Sequence, residues 1–184
     1  MNSITIVLIV IAVAAVAFAI TMYFQRQRTR RLRGKFGPEY DRIASERGTH
    51  TAETELVRRE ERVSKYKIRD LTRDERDRFA ASWRETQARF VDDPRMAVSE
   101  ADELVTRLMS TRGYPMRDFD QRTEDLTVDH PAVVQNYRAA HEIASRDKTN
   151  PVNTEDLRRA MVHYRSLFED LLGQQVMEHA EARS

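Results

Sequence analysis

Apolar and polar positions divide this chain into a short apolar part and a long polar part. Residues Ile4–Phe24 form a run of 21 residues without a charged side chain. Because a helix rises about 1.5 Å per residue, this run would reach roughly 31 Å, close to the thickness of the hydrocarbon core of a bilayer. Tyr23 and Phe24 close the run, and aromatic side chains favour the membrane interface. The pattern predicts a transmembrane anchor over residues 1–25.

A cluster of cations follows the apolar run at once. Six of them fall within ten residues, before the first acidic residue of the chain: Arg26, Arg28, Arg30, Arg31, Arg33 and Lys35. By the positive-inside rule, this asymmetry predicts a single-pass protein of the cell inner membrane, with its N-terminus outside and its C-terminal domain in the cytoplasm. A cleaved signal peptide is disfavoured, because its cations precede a shorter apolar core. We therefore expect the lipid bilayer as a partner, with the six cations at the membrane surface.

Glycine and proline mark two breaks after the anchor. The breaks lie at Gly37-Pro38 and at Gly48, residue types at which helices commonly end or begin. They favour a basic juxtamembrane segment over residues 26–37 and a polar helical stalk over residues 38–70. Apolar residues are sparse in the stalk, so we expect an exposed arm rather than part of a core.

Residues 71–173 carry the periodicity of a helical bundle. Thr72 and Glu75 have the spacing of a capping box, and later apolar positions recur every three to four residues. No window alternates with the period of two that is typical of a strand. The predicted fold class is all-α: an N-terminal transmembrane helix, a polar helical stalk and a small bundle of about five helices. A flexible tail is expected over residues 174–184.

Two local predictions within the bundle concern its second half. Asp129-His130-Pro131 is expected to start a helix, with the aspartate as its cap and proline in the first turn. Ser145–Asn153 is polar and contains an Asn-Pro pair, so a loop is expected there. Three acidic pairs are interpreted as solvated surface: Asp92-Asp93, Glu124-Asp125 and Glu155-Asp156.

Composition limits the chemistry open to the chain. The sequence is 40% hydrophobic and 33% charged, with a net charge of +1 and no cysteine, which excludes disulfide frameworks and thiol catalysis. Apart from the six juxtamembrane cations, 25 basic residues face 30 acidic ones, so no nucleic-acid partner is expected. The sequence contains no His-Glu-x-x-His, G-x-S-x-G or P-loop pattern. We therefore predict no metal, no cofactor and no catalytic residue, and an enzyme is not the favoured interpretation.

Five residues keep a ligand-binding alternative open. A small ligand sensor or enzyme could use a pocket formed by Tyr114, Asp129, His130, His141 and Tyr164. The competing interpretation is structural, because Asp129 precedes a proline at a helix start and His141 lies on the apolar stripe of its helix. Convergence of the five side chains on one pocket would favour the ligand-binding alternative.

Several short strings recur in a known group of proteins. They are Lys35–Arg42, Arg112–Pro115, Asp129-His130-Pro131 with Tyr137-Arg138, and Thr154–Arg158 with His163–Arg165. Together they resemble an uncharacterised family of small bacterial proteins with one N-terminal span, described as hypothetical membrane or secreted proteins. The resemblance covers nearly the whole chain and implies a single-span bacterial protein. It implies no activity, cofactor or catalytic residue.

The sequence as a whole favours a membrane-anchored, non-catalytic interaction or scaffold module that binds a protein partner. Ala15 and Ala19 have the spacing of a small-residue helix contact, so a homodimer is a further expectation. Four aromatic residues could anchor a partner if an apolar groove stays open, and would otherwise fill the core: Phe79, Trp83, Phe90 and Phe119.

Overall fold

The computed structural model describes the backbone of residues 3–173 and the side chains of residues 11–173. Over that range the chain forms eight α-helices and no strand, which confirms the all-α fold class. The helices are α1 (Ser3–Phe36), α2 (Pro38–Arg47), α3 (Thr49–Val63), α4 (Arg73–Arg89), α5 (Pro94–Arg112), α6 (Phe119–Asp129), α7 (Val134–Thr149) and α8 (Thr154–Leu172).

Two predictions, one at each end of the chain, concern residues outside those that the structure describes. The predicted tail over residues 174–184 lies outside them, and so do the side chains of residues 4–10, where the predicted span begins. Among the described residues, no helix combines the length and the apolar character needed to cross a membrane.

The chain divides into two compact units, one ending at Leu56 and the other starting at Val57. Helix α3 continues across this boundary. This division does not coincide with the predicted boundaries at residues 25, 37 and 70, which stay predictions.

The first unit begins with the long helix α1. The predicted breaks are confirmed: α1 ends before Gly37, α2 ends before Gly48, and both glycines have positive φ values of 50° and 82°. Such values suit glycine, which lacks a Cβ. The expectation of an exposed arm over residues 38–70 is wrong for its first half, where four apolar side chains are buried: Tyr40, Ile43, Ala52 and Leu56. Leu32 and Phe36 of the basic segment are buried as well.

Polar contacts hold the basic end of α1 to α3. Thr29 Oγ1 donates a hydrogen bond of 2.5 Å to Glu53 Oε1, and Arg28 Nε lies 3.7 Å from the same carboxylate. Burial and then the charge of Glu53 raise the pKa of Tyr40, whose hydroxyl lies 3.5 Å from Glu53. The basic segment of α1 is therefore part of a folded unit.

The second unit contains the five-helix bundle α4–α8, as predicted. The capping box at Thr72 and Glu75 is present, with both of its hydrogen bonds. Helix α8 contacts α4, α5 and α7, and α5 contacts α4, α7 and α8, so these two helices connect the bundle. The α8 residue Phe168 stacks on Trp83 with ring centroids 4.7 Å apart, and both side chains are fully buried. The other large, fully buried side chains of the core include Leu104, Leu108, Met109, Leu126, Tyr137 and Tyr164.

Two local predictions in the bundle are wrong. Asp129 is the last residue of α6 rather than the cap of a new helix, and α7 begins only at Val134. The Asp129 carboxylate accepts a hydrogen bond from a tyrosine instead of capping α7. Helix α7 also extends through most of the predicted loop, to Thr149, since its break comes at Asn150-Pro151, where proline disfavours a helical residue before it.

One acidic pair is more buried than the sequence indicated. Asp125 of α6 is 1% exposed and accepts hydrogen bonds from Arg62 Nε at 2.7 Å and from Tyr66 Oη at 3.0 Å. Its neighbour Glu124 accepts from Arg62 Nη2 at 2.9 Å. The interpretation of Glu124-Asp125 as solvated surface is therefore wrong for Asp125. This carboxylate joins α6 to the last turn of α3 and to the segment that follows it.

Candidate functional site

The five residues of the predicted pocket fall into two separate polar networks. Tyr114, Asp129 and His130 belong to the first network, at the end of α6. His141 and Tyr164 belong to the second, between α5 and α8. Tyr114 and His130 bond to partners other than that of Tyr164, and the contact of His141 is a ring stack on Phe119, so the five side chains do not form one constellation.

In the first network both ring nitrogens of His130 are engaged. Its Nδ1 is hydrogen-bonded to Asp170 Oδ2, and its Nε2 lies 3.2 Å from Arg112 Nη1. Arginine can only donate, so Nε2 accepts the hydrogen bond and the ring proton lies on Nδ1, facing Asp170. An imidazole held this way has no free nitrogen with which to accept a proton from a substrate, so His130 has a structural role in this arrangement.

Arg112 and Tyr114 complete the first network. Arg112 Nη1 also donates to the carbonyl oxygen of Leu171 at 3.1 Å, near the C-terminal end of α8. Tyr114 is 3% exposed and donates to Asp129 Oδ2 at 2.9 Å. Burial, together with the neighbouring Asp129 carboxylate, raises the pKa of Tyr114, so its hydroxyl stays protonated and donates. The network joins the ends of α5, α6 and α8.

The second network lies on the inner face of α5. Asp102 Oδ1 accepts from Tyr164 Oη at 3.0 Å, and one turn later Thr106 Oγ1 accepts from Arg122 Nη1 at 3.0 Å. Burial and then Asp102 raise the pKa of Tyr164, which keeps its hydroxyl protonated. Tyr137 lies beside this pair, with its ring centroid 6.5 Å from that of Tyr164.

His141 stacks on Phe119 with ring centroids 3.6 Å apart and an angle of 11° between the planes. Burial lowers the pKa of His141, so the neutral imidazole is favoured. The sequence analysis did not select three members of this network: Asp102, Thr106 and Arg122. The spacing of Asp102 and Thr106 could have indicated these two residues, because they adjoin the apolar stripe of α5 one turn apart.

An open groove lies between α4 and α8. Its apolar lining comes from Trp83, Phe90, Met161 and Val162, it has a volume of about 160 Å³, and Gln87, Arg158 and Arg165 complete it. Val162 is 52% exposed, and the indole nitrogen of Trp83 is buried without a hydrogen-bond partner among the described residues. Of the four predicted aromatic anchors, Phe90 is partly exposed at this groove, whereas Trp83 forms its floor and is itself fully buried.

The other two predicted aromatic anchors lie elsewhere. Phe79 lines a second pocket of about 300 Å³, which includes Leu104 and Thr111 of α5. Phe119 packs against Tyr137 and His141 in the second polar network. None of the five predicted ligand-binding residues lines either of these two pockets.

The six predicted membrane-surface cations are all exposed on α1. Arg33 Nη2 pairs with Asp41 at 2.9 Å. Within the described part of the chain, no group of three or more His, Cys, Asp or Glu side chains is placed to hold a metal ion.

Comparison with protein-family models, curated proteins and solved structures gives no significant match to this chain. The resemblance to small single-span bacterial proteins therefore stays a prediction.

Proposed function

We propose that this protein is a single-pass membrane protein whose helical bundle is a non-catalytic interaction module. The main support for this proposal is the exposed apolar surface of α1. Every side chain from Ile11 to Phe24 is exposed, although nearly all are apolar, and Val13 and Phe18 reach 63% and 67% exposure. An apolar surface costs about 25 cal/mol per Å² in water. A protein groove would cover one side of such a helix, whereas a bilayer covers all sides.

The cations after Phe24 support an orientation for this anchor. All six are exposed on the last turns of α1, where they can contact lipid phosphates at the surface of an inner membrane. The positive-inside rule then assigns the bundle to the cytoplasm and the N-terminus to the opposite side.

Cysteine labelling tests the anchor and its orientation together. The chain has no native cysteine, so Ser3→Cys and Ser110→Cys each introduce one reactive thiol. On cells with a permeabilised outer membrane, an impermeant maleimide is expected to label Ser3→Cys but not Ser110→Cys until the cells are lysed. Labelling of Ser110→Cys before lysis would contradict the orientation. Release of the protein from membranes by alkaline carbonate would contradict the anchor.

The groove between α4 and α8 supports the interaction role. Its apolar lining suits the apolar face of a partner's amphipathic helix. Arg158 and Arg165 line the same groove, with exposures of 57% and 44%. Both arginines are ion-paired within α8, Arg158 with Glu155 and Arg165 with Glu169. Acidic side chains beside the apolar face of a partner helix could take over these pairs, and such a helix is the partner that we propose for the groove.

Site-specific photocrosslinking tests the groove. A photoreactive amino acid at Val162 is expected to give a discrete protein adduct in cells, whereas the same probe at Met116, an exposed apolar residue outside the groove, should not. The adduct should disappear when Arg158 and Arg165 are changed to Glu, but persist in Arg159→Glu, which alters an equally exposed arginine of α8 that does not line the groove. Equal adducts at Val162 and Met116 would contradict this docking surface.

A further inference from the structure

A pocket of about 300 Å³ opens between α4 and α5, apart from the groove on α8. Its lining comes from one face of each helix: Glu75, Arg78, Phe79, Ser82, Leu104 and Thr111. The four α4 residues follow the i, i+3, i+4, i+7 spacing of a single helical face, and the two α5 residues are seven positions apart. Ligand pockets have volumes of about 300–1,000 Å³, so this one has room for a small molecule.

The inner part of the pocket is apolar. Leu104 is 1% exposed, and Phe79 is partly buried and packs against the hydrophobic core. The Thr111 hydroxyl donates to the carbonyl oxygen of Arg107 at 2.9 Å, so its proton is already used within α5. Covering apolar surface of this kind removes it from water, which favours a ligand with an apolar body.

Two opposite charges line the pocket, and their hydrogen bonding differs. Both oxygens of the Glu75 carboxylate accept from Arg69, at 2.7 and 2.8 Å, and Oε2 also accepts from the Thr72 amide. Glu75 is therefore already neutralised by a bidentate ion pair. Within the described part of the chain, Arg78 pairs with no carboxylate; its Nε donates to the carbonyl oxygen of Asp74 at 3.1 Å, and its two Nη groups make no hydrogen bond. The charge that is available to a ligand is the positive one.

We propose that the pocket between α4 and α5 binds a small monocarboxylate with an apolar body. The carboxylate accepts hydrogen bonds from the Nη groups of Arg78, and the apolar body packs on Phe79 and Leu104. The planar fork of a guanidinium matches a carboxylate, whereas a dianionic phosphate would place a second charge near Glu75. Ser82 adds a hydroxyl beside this position on α4. The site is independent of the groove on α8 and of the membrane anchor.

Two probes that differ in charge but hardly in shape test the site. They are 4-phenylbutyrate and its neutral amide, titrated separately into the full-length protein in lipid nanodiscs, with the leucine and valine methyl groups observed by NMR. We expect a saturable shift of the Leu104 methyl resonances. The carboxylate should bind about fivefold more tightly than the amide, a preference typical of an ion pair at a partly exposed site.

Matched arginine variants locate the carboxylate. Arg78→Gln should abolish the preference for the carboxylate, whereas Arg84→Gln, which alters an exposed arginine of α4 outside the pocket, should retain it. Both substitutions change exposed side chains, so neither is expected to unfold the bundle. Three results would each overturn the proposal: no saturable shift at Leu104, equal affinities for the two probes in the wild-type protein, or a preference that survives in Arg78→Gln. Saturable shifts at Val162 without shifts at Leu104 would move the ligand to the groove on α8 and would also overturn it.

Discussion

Asp125 is a charged side chain that the fold keeps almost entirely out of water. Its carboxylate is 1% exposed and accepts from Arg62 and Tyr66, so its desolvation is offset by an opposite charge and two hydrogen bonds. Glu124, the preceding residue, is 36% exposed and shares the same arginine. The two adjacent acids therefore differ in burial and in their further partners, which are Tyr66 for Asp125 and Arg59 for Glu124.

Removing the two carboxylates separately should show this difference. We expect Asp125→Ala to lower the free energy of unfolding by about 2–4 kcal/mol, because Arg62 and Tyr66 lose a buried partner. Glu124→Ala should cost less than Asp125→Ala, because Glu124 is 36% exposed, although it pairs at 3.5 Å with the buried Arg59 as well as with Arg62. Urea denaturation of both variants measures the two values. Equal losses would contradict the structural role given to Asp125.

The residues that start or end helices of the bundle also make contacts with residues outside those helices. Gly113 ends α5 in the left-handed region at φ 98°, and a Cβ built there would collide with the carbonyl oxygen of Lys67. The chain beside Lys67 lies against this helix end, where the Arg69 amide donates to the Arg112 carbonyl at 2.8 Å. At the start of α4, Glu75 both caps the helix and pairs with Arg69.

Replacing two glycines with alanine should separate the cost of an unfavourable backbone conformation from the cost of a steric collision. Gly48 also has a positive φ, of 82°, but a Cβ there has no atom within 4 Å. Gly48→Ala should therefore cost only its backbone conformation, about 1–3 kcal/mol, because φ 82° with ψ 155° is a region that essentially only glycine adopts. Gly113→Ala should cost more, because its left-handed conformation and the collision of its Cβ with backbone both oppose the substitution. Thermal unfolding of the two variants provides the comparison, and equal costs would contradict a close approach at Lys67.

The start of α4 should lose stability in acid. The hydrogen bond from Arg69, with that from the Thr72 backbone, lowers the pKa of Glu75 from 4.5 to about 2. A carboxyl whose pKa is lowered on folding stabilises the protein above its unfolded pKa, and this contribution is lost as the pH falls through the folded value.

We therefore expect wild type to exceed Glu75→Gln in thermal midpoint at neutral pH, with the gap closing between about pH 4.5 and pH 2. Arg69→Gln removes the largest cause of the lowered Glu75 pKa. The gap in thermal midpoint between wild type and Arg69→Gln should therefore show most of the same pH dependence. A gap that stays constant down to pH 2 would contradict the assignment.

At the scale of the whole molecule, the boundary between the two units lies within α3, whereas the sequence predicts the bundle to begin at residue 71. Leu56 is buried in the first unit, whereas Arg62 and Tyr66, which follow Val57, bind Asp125 in the second. The end of α3 and the residues between α3 and α4 therefore contribute to the stability of the bundle.

Two fragments test this boundary. A fragment of residues 57–184 retains the contacts to Asp125 and the chain beside Gly113, whereas a fragment of residues 71–184, which starts at the predicted boundary, lacks them. We expect the longer fragment to be more stable, by about 3 kcal/mol. Denaturant unfolding followed by circular dichroism measures the difference, and fragments of equal stability would place the boundary where the sequence analysis put it.

The sequence by itself determined the helices of the bundle and most of their ends. Apolar periodicity and local signals such as the Thr72–Glu75 capping box and Gly113 act within one or two helical turns. They can therefore be recognised in the sequence without knowledge of the fold. The sequence also contains the apolar run and the cations on which the proposed anchor rests.

Only the tertiary structure decided which polar residues meet. His130 and Asp170 are 40 positions apart, and Arg62 and Asp125 are 63 apart. No local pattern relates such residues, because their proximity depends on how whole helices pack. For the same reason the five predicted pocket residues separated into two networks, while Asp102, Thr106 and Arg122 came together around Tyr137. Helical periodicity indicates which residues share a face, but packing decides what that face contacts.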